Sequence, residues 1–330
     1  MPTKRERVEA VLQNRHPDHP PVCFWHHFPP DQATGQAAVD AHLRFFETYD
    51  LDFLKVMNDH LFPRGEVTVV RTVEDLKKLR PVPGDVAYGG QLEVLRKLRE
   101  KLGPDVLMTT TLFNAWAVLR YLTQPPSDVH GPPKMHSEDD RDETITALLR
   151  QDRQAVRAAL QAIGETLADT ARQCILAGAD GVFLSVRDDW VNRPANGPDT
   201  YDELLRDIDL AILAAASAGT FNFVHACGRP QNFAAFADYP AQVINWADRS
   251  GGPSIAYARD RVRPAIAAGV DNLRTLPQGT PEACAAEVHD ALRQAQTRPI
   301  IIAAGCTFDP QAVPPENLHA VVAAARSVAG

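Results

Sequence analysis

Eight short apolar runs punctuate this chain, and each reads as a buried strand. They cover residues 21–28, 53–58, 106–111, 181–186, 221–227, 242–246, 264–270 and 299–306. Helical periodicity fills much of the space between and after them, over residues 151–177, 199–218, 280–295 and 316–327. The opening MPTKRERVEAVLQ has the same period and predicts an N-terminal helical extension. Thr280-Pro281-Glu282 supplies an N-cap hydroxyl, a proline at the first helical position and an acid in the first turn. Pro314-Pro315-Glu316 opens the last helix in a similar way. Residues 123–141, proline-rich and polar, predict a loop or lid over the surface. No repeat of fixed period interrupts this order.

Eight strands alternating with helices predict an α/β chain folded as one (β/α)8 TIM barrel over residues 1–330. The competing architecture is an open doubly wound sheet. That fold would place a glycine-rich phosphate loop after the first strand, where this chain has CFWHHFPP. Composition narrows the class further. A hydrophobic fraction of 45% excludes a disordered chain. A formal net charge of −8 gives no general footprint for nucleic acid or an anionic membrane. The most apolar stretch, residues 299–304, falls far short of the roughly 18 residues of a membrane span. The charged start lacks the apolar segment of a secretory signal, so the cytoplasm is the expected location. Five cysteines, an odd number, argue for reduced thiols rather than a disulfide framework.

The position of those thiols matters more than their number. Side chains alternate along a strand, so His225 and Cys227 share one face, at the end of their strand and just before Gly228-Arg229-Pro230. Cys306 ends the last apolar run. In a barrel the carboxyl ends of the strands meet at the active-site rim, however distant in sequence. One imidazole and two thiolates there make three ligands of a tetrahedral Zn2+ site with one position open. Against this, cysteine commonly serves as a small buried hydrophobe, and no CxxC pair is present. Cys23, Cys174 and Cys284 fall within strand or helix patterns and read as core.

Other rim residues offer weaker signals. His26 and His27 are neighbours on the first strand, so only one of them can face the barrel and meet substrate or metal. Asp188-Asp189-Trp190 follows the fourth strand and offers either a carboxylate contact or a solvated acidic turn. Arg187, Arg193 and Arg229 flank rim positions and could clamp an acidic group, although exposed arginine is common. Asp128-Val129-His130-Gly131 echoes a corrinoid-binding Asp-x-His-x-x-Gly pattern, but Pro133 stands at its last position. That segment reads as loop, so any corrinoid would arrive on a separate protein.

Several segments together carry a family resemblance. They are Lys4-Arg5-Glu6-Arg7-Val8, Asp18-His19-Pro20-Pro21-Val22, Ala179-Asp180-Gly181-Val182, Ile244-Asn245-Trp246-Ala247-Asp248 and Pro315-Glu316-Asn317-Leu318. Over nearly its whole length the chain resembles the uroporphyrinogen decarboxylase superfamily. The resemblance implies a distorted (β/α)8 barrel and a choice between two chemistries. One branch decarboxylates an acidic tetrapyrrole precursor; the other uses zinc to move a methyl group from a corrinoid protein to a thiol. The methyltransferase branch is marked by a His-x-Cys pair and a distant Cys, which His225, Cys227 and Cys306 match.

Decarboxylase features also map here. Asn58-Asp59 is similar to that enzyme's Ser-Asp pair, which places Asp59 at the pyrrole-binding position. Trp116 and Tyr121 resemble its tryptophan and active-site tyrosine. Two departures weaken that branch. Its arginine-rich RQAGRY segment is replaced by Phe24-Trp25-His26-His27-Phe28-Pro29, and its late histidine falls where Cys306 stands. A polycarboxylate needs fixed cations, which mostly neutral histidines do not supply.

The expectation is therefore a zinc-dependent methyltransferase acting on a small thiol. Asp59, Tyr121 and His26 or His27 would orient the acceptor, with Trp116, Asp188 and Arg187 as substrate contacts. Decarboxylation of an acidic substrate is the alternative, and a metal- or thiol-binding carrier the non-enzymatic one. A corrinoid protein is the expected macromolecular partner, with a homodimer possible in form and no nucleic acid or membrane expected.

Overall fold

The computed structural model describes residues 2–126 and 140–328. The corrinoid-like 128–131 segment and most of the expected 123–141 loop lie outside the described residues.

All eight apolar runs form strands: β1 (Val22–Cys23), β2 (Phe53–Val56), β3 (Leu107–Phe113), β4 (Gly181–Val186), β5 (Phe223–Ala226), β6 (Val243–Trp246), β7 (Ala265–Val270) and β8 (Ile300–Ala304). They pair in parallel in the order β1-β8-β7-β6-β5-β4-β3-β2. Each strand neighbours its successor and the last returns to the first, which makes a (β/α)8 barrel. Only the β1–β2 seam lacks a ladder, and the backbone and side chain of Asp52 stitch it. Asp52 N–H donates to Val22 O at 2.9 Å, and Val22 N–H donates to the Asp52 carboxylate at 2.7 Å. Arg7 holds the other carboxylate oxygen of Asp52 at 2.7 Å, so the N-terminal helix Lys4–Leu12 is tied to the seam.

The expected helices are present, with adjusted bounds: Arg153–Leu176, Pro281–Ala295 and Pro315–Ser327, while residues 199–218 divide into Thr200–Leu204 and Arg206–Ala215. Asp152 and Thr280 cap their helices through side-chain oxygens that accept from Ala155 N and Ala283 N. Four further helices cover the first half of the barrel: Gly35–Thr48, Gly84–Leu102, Ala115–Leu122 and Asp140–Gln151. The last of these corrects the expected loop, whose final residues Asp140 and Arg141 begin a helix. Glycines at the start of Gly84–Leu102, and a non-helical Tyr88 within it, concealed that helix from periodicity. Among the described residues no helix is long and apolar enough to cross a membrane.

The barrel interior has two levels. At the lower one, Phe53, Phe183, Phe221 and Phe223 stack ring against ring, with the Phe221–Phe223 centroids 4.9 Å apart and Phe183–Phe223 5.3 Å. Gly181 makes room for this floor, since a Cβ there would lie 2.0 Å from Phe221 O. Two residues further along each strand, Ser185, His225 and Asn245 stand in register across β4, β5 and β6.

Candidate metal and active site

Strand alternation along β5 carries Phe223, His225 and Cys227 up one face of the wall. Cys227 N–H donates to Val186 O at 2.8 Å, extending the ladder to the rim. Gly228 then turns the chain at φ +72°, where a Cβ would lie 2.5 Å from Arg187 Nε. On β8, Gly305 N–H donates to Val270 O and brings Cys306 to the same rim. The donor atoms of His225, Cys227 and Cys306 all lie within 4.8 Å of one another. The two sulfurs are 3.9 Å apart.

This donor set fits a zinc ion on three counts. Zn–S bonds of about 2.3 Å at a tetrahedral angle separate two sulfurs by roughly 3.8 Å. His225 is buried, and its Nδ1 donates to Asn245 Oδ1 at 2.6 Å. Its Nε2 is therefore the bare nitrogen, buried and without a hydrogen-bond partner. The two thiols are also hydrogen-bonded to each other, a contact that holds Cys306 well below the ordinary thiol range and raises Cys227 well above it. By contrast burial pushes Cys174 up to about 12 and is the main cause that raises Cys284 to about 11 and Cys23 also. Those three are core thiols.

A cavity of about 260 Å³ opens beside the cluster. His27 lines it, stacked on Phe113 and with Nδ1 bound to Asp59 Oδ1 at 2.5 Å. His26 faces the other way and packs against Phe28, Phe45 and Phe308. Burial lowers the His26 pKa. Asp59 itself is buried behind His27 and is not part of the cavity wall. Tyr121 lines the cavity, with Arg64 Nε donating to its hydroxyl at 3.3 Å. Arg187 also lines it, paired with Asp189 through Nε at 2.6 Å. The Trp190 indole lies between two guanidinium groups, 3.3 Å from Arg120 and 3.9 Å from Arg187.

Other expected residues sit elsewhere. Trp116 is buried below the cavity wall and its Nε1 donates to Asp142 at 3.4 Å. The Asp188 carboxylate turns away to accept from Gln231 N at 3.0 Å and Asn232 N at 2.8 Å, which fixes the loop after β5. Arg229 is exposed, and Arg193 is half-buried outside the cavity.

Two residues of the site escaped sequence reasoning. Asn245 is fully buried, and its amide donates to Ala267 O at 2.7 Å and Ala304 O at 3.2 Å. Lys55 lies mid-strand in β2, and burial pushes its pKa down to about 7. A polar residue inside an apolar run was the available signal for both.

The fold is shared with several solved structures. A methyltransferase from Methanosarcina mazei superposes at TM-score 0.76 and 19% identity, covering 99% of each chain. A B12-independent methionine synthase from Shewanella sp. W3-18-1, in complex with selenomethionine, gives 0.51 and 12% over 88% of this chain and 86% of that one. GH5_18 from Streptomyces cattleya, in complex with GlcNAc, gives 0.50 and 14% over 93% and 80%. At such identities the likeness establishes the fold alone. No curated protein matches the chain. Residues 54–328 match the family model described as Uroporphyrinogen decarboxylase (URO-D), and the chain belongs to that family.

Proposed function

We propose that this protein is a zinc-dependent methyltransferase that moves a methyl group from a corrinoid-type donor, carried on a separate protein, to a small thiol. The observation that carries the reading is the bare, buried Nε2 of His225 beside two thiols 3.9 Å apart at the barrel mouth. His225, Cys227 and Cys306 would hold the ion. When bound, zinc would supply a positive centre that keeps an acceptor thiol ionised at neutral pH.

The remaining work falls to the chain's own side chains. Asp59 fixes His27 with Nδ1–H engaged, so Nε2 is free to accept the thiol proton. The acceptor S–H bond breaks toward that nitrogen, and the sulfur forms its bond to the methyl carbon. The electron pair of the broken donor bond leaves with the donor. Trp25, Phe113 and Phe183 on the cavity wall exclude water and leave the sulfur poorly solvated, which favours attack.

Likeness to a methyltransferase and to a methionine synthase supports this reading. It is favoured over tetrapyrrole decarboxylation because Asp59, which that chemistry needs against the substrate, lies behind His27. Protein purified from zinc-supplemented cells is expected to contain about one zinc per chain and to methylate small thiols from methylcobalamin. Cys306→Ala is expected to lower zinc affinity by about two to three orders of magnitude, one ligand's share of the binding free energy. Wild-type protein that takes up no zinc under these conditions overturns the proposal.

A further inference from the structure

The cavity wall is electrostatically one-sided. Lys55, Arg120, Arg141 and Arg187 line it, and among the described residues no carboxylate does, in a chain whose net charge is −8. Two of these cations are neutralised where they stand: Arg120 by Asp142 at 2.8 Å and Arg187 by Asp189. Lys55 is different. The residue is 4% exposed, and the hydrogen-bond acceptor of its Nζ is the thioether of Met57 at 3.1 Å. The ammonium lies over the Phe183 ring, 4.6 Å from the centroid, and 5.7 Å from that of Trp25. Among the described residues no carboxylate forms an ion pair with it. Aromatic faces and a thioether offset only part of the hydration that a buried ammonium gives up. The anionic neighbour that acts on it most strongly is Cys306. A dication held by both thiolates would cancel that attraction and leave only the Asp59 carboxylate, which is already bound to His27, to act on the ammonium from a distance.

We propose that Lys55 is a specificity-determining residue that binds one anionic group of the acceptor, a carboxylate, sulfonate or phosphate, beside the thiol-binding cluster. The inference rests on the thiol-acceptor reading for the other end of the ligand. A single cation with no carboxylate in ion-pair contact among the described residues matches a single anionic group. A polycarboxylate would need several, and the arginines of the wall already have partners of their own.

Calorimetric titration of the full-length protein tests this with paired ligands. Zinc-loaded wild type is expected to bind 3-mercaptopropionate at least about tenfold more tightly than 2-mercaptoethanol, the scale of one charge-assisted hydrogen bond. Lys55→Met is expected to abolish that preference and Lys55→Arg to restore part of it, both with a wild-type melting temperature. Chelator-treated wild type is expected still to bind butanoate, a thiol-free anion, and to lose it on Lys55→Met. Propanesulfonate and propyl phosphate in the same titration identify which anion the site prefers. Equal affinity for the acidic and neutral thiols overturns the proposal, and so does a preference that survives in Lys55→Met. The wild-type comparison decides the matter even if a variant fails to fold. Butanoate binding in a protein that takes up no zinc would sink the zinc reading and leave this one standing.

Discussion

Two levels of one barrel interior, a single strand repeat apart, are built from opposite chemistry. Below, Phe53, Phe183, Phe221 and Phe223 interlock as an aromatic floor. Above, Lys55, Ser185, His225 and the two rim thiols face a cavity. The same alternation of the same strands supplies both. The floor is specified by volume, because close-packed rings must fill the space without voids. The level above is specified by orientation, because Asn245 turns the His225 ring and the two thiols face each other.

Substitutions can break this contrast or sharpen it. The largest effect belongs to the floor. Phe223→Ala is expected to lower unfolding free energy by about 3–5 kcal/mol, as large cavities in cores do. Denaturant titration measures it, and zinc stoichiometry of the folded fraction should stay unchanged. A variant that loses zinc but keeps its stability would show that the two levels are not separable.

The next effect is an orientation effect. Asn245→Leu keeps volume but frees His225 to adopt the other tautomer, and zinc affinity is expected to fall about 10–100-fold. Competition with a chromogenic chelator reads it. Asn245→Asp, which can still accept from Nδ1, is expected to recover most of the loss. Equal affinity in all three proteins would remove the orientation argument.

The smallest effect probes buried polarity away from the cavity. Asp209 is fully buried, accepts from Tyr201 OH at 2.5 Å and Tyr239 OH at 3.1 Å, and its other oxygen has no partner. Burial pushes its pKa up to about 7 from 3.8. A carboxyl group whose folded-state pKa is raised is most favourable to folding below its unfolded value, and that advantage fades as pH rises toward about 7. Asp209→Asn is expected to be more stable than wild type above neutrality, with the gap in melting temperature widening as pH rises from 4 to 7. The difference should vanish near pH 4, below which both side chains are neutral. Melting temperatures across that window check it, and an unchanged pH slope would refute the assignment.

Much of this was legible in the sequence, for definite reasons. Strands buried on both faces read as continuous apolar runs, so all eight were visible. His225, Cys227 and Cys306 were visible because alternation and strand ends are one-dimensional properties. What stayed hidden depends on contacts between distant elements. Which of His26 and His27 faces the cavity follows from the pairing of β1 with β8, where Cys23 stands opposite Ala303. Asp188 looked like a rim carboxylate, yet its partners Gln231 and Asn232 lie more than forty residues away. Lys55 and Asn245 sat inside apolar runs, where the pattern reports burial and is silent about partners. The helices Gly35–Thr48 and Gly84–Leu102 begin with glycine, which weakens any propensity signal.

The stitched seam between β1 and β2 has a consequence in time rather than in space. Where other strand pairs share a ladder, this one is closed by one aspartate that serves both as backbone partner and as carboxylate. Local opening there breaks a handful of bonds, so the amides of Val22 and Asp52 should exchange with solvent water sooner than those of β4 or β5. His27 follows one side of that seam and Lys55 lies on the other. The wall that breathes most easily is therefore the wall a ligand would bridge, and occupancy of the cavity should slow exchange there first.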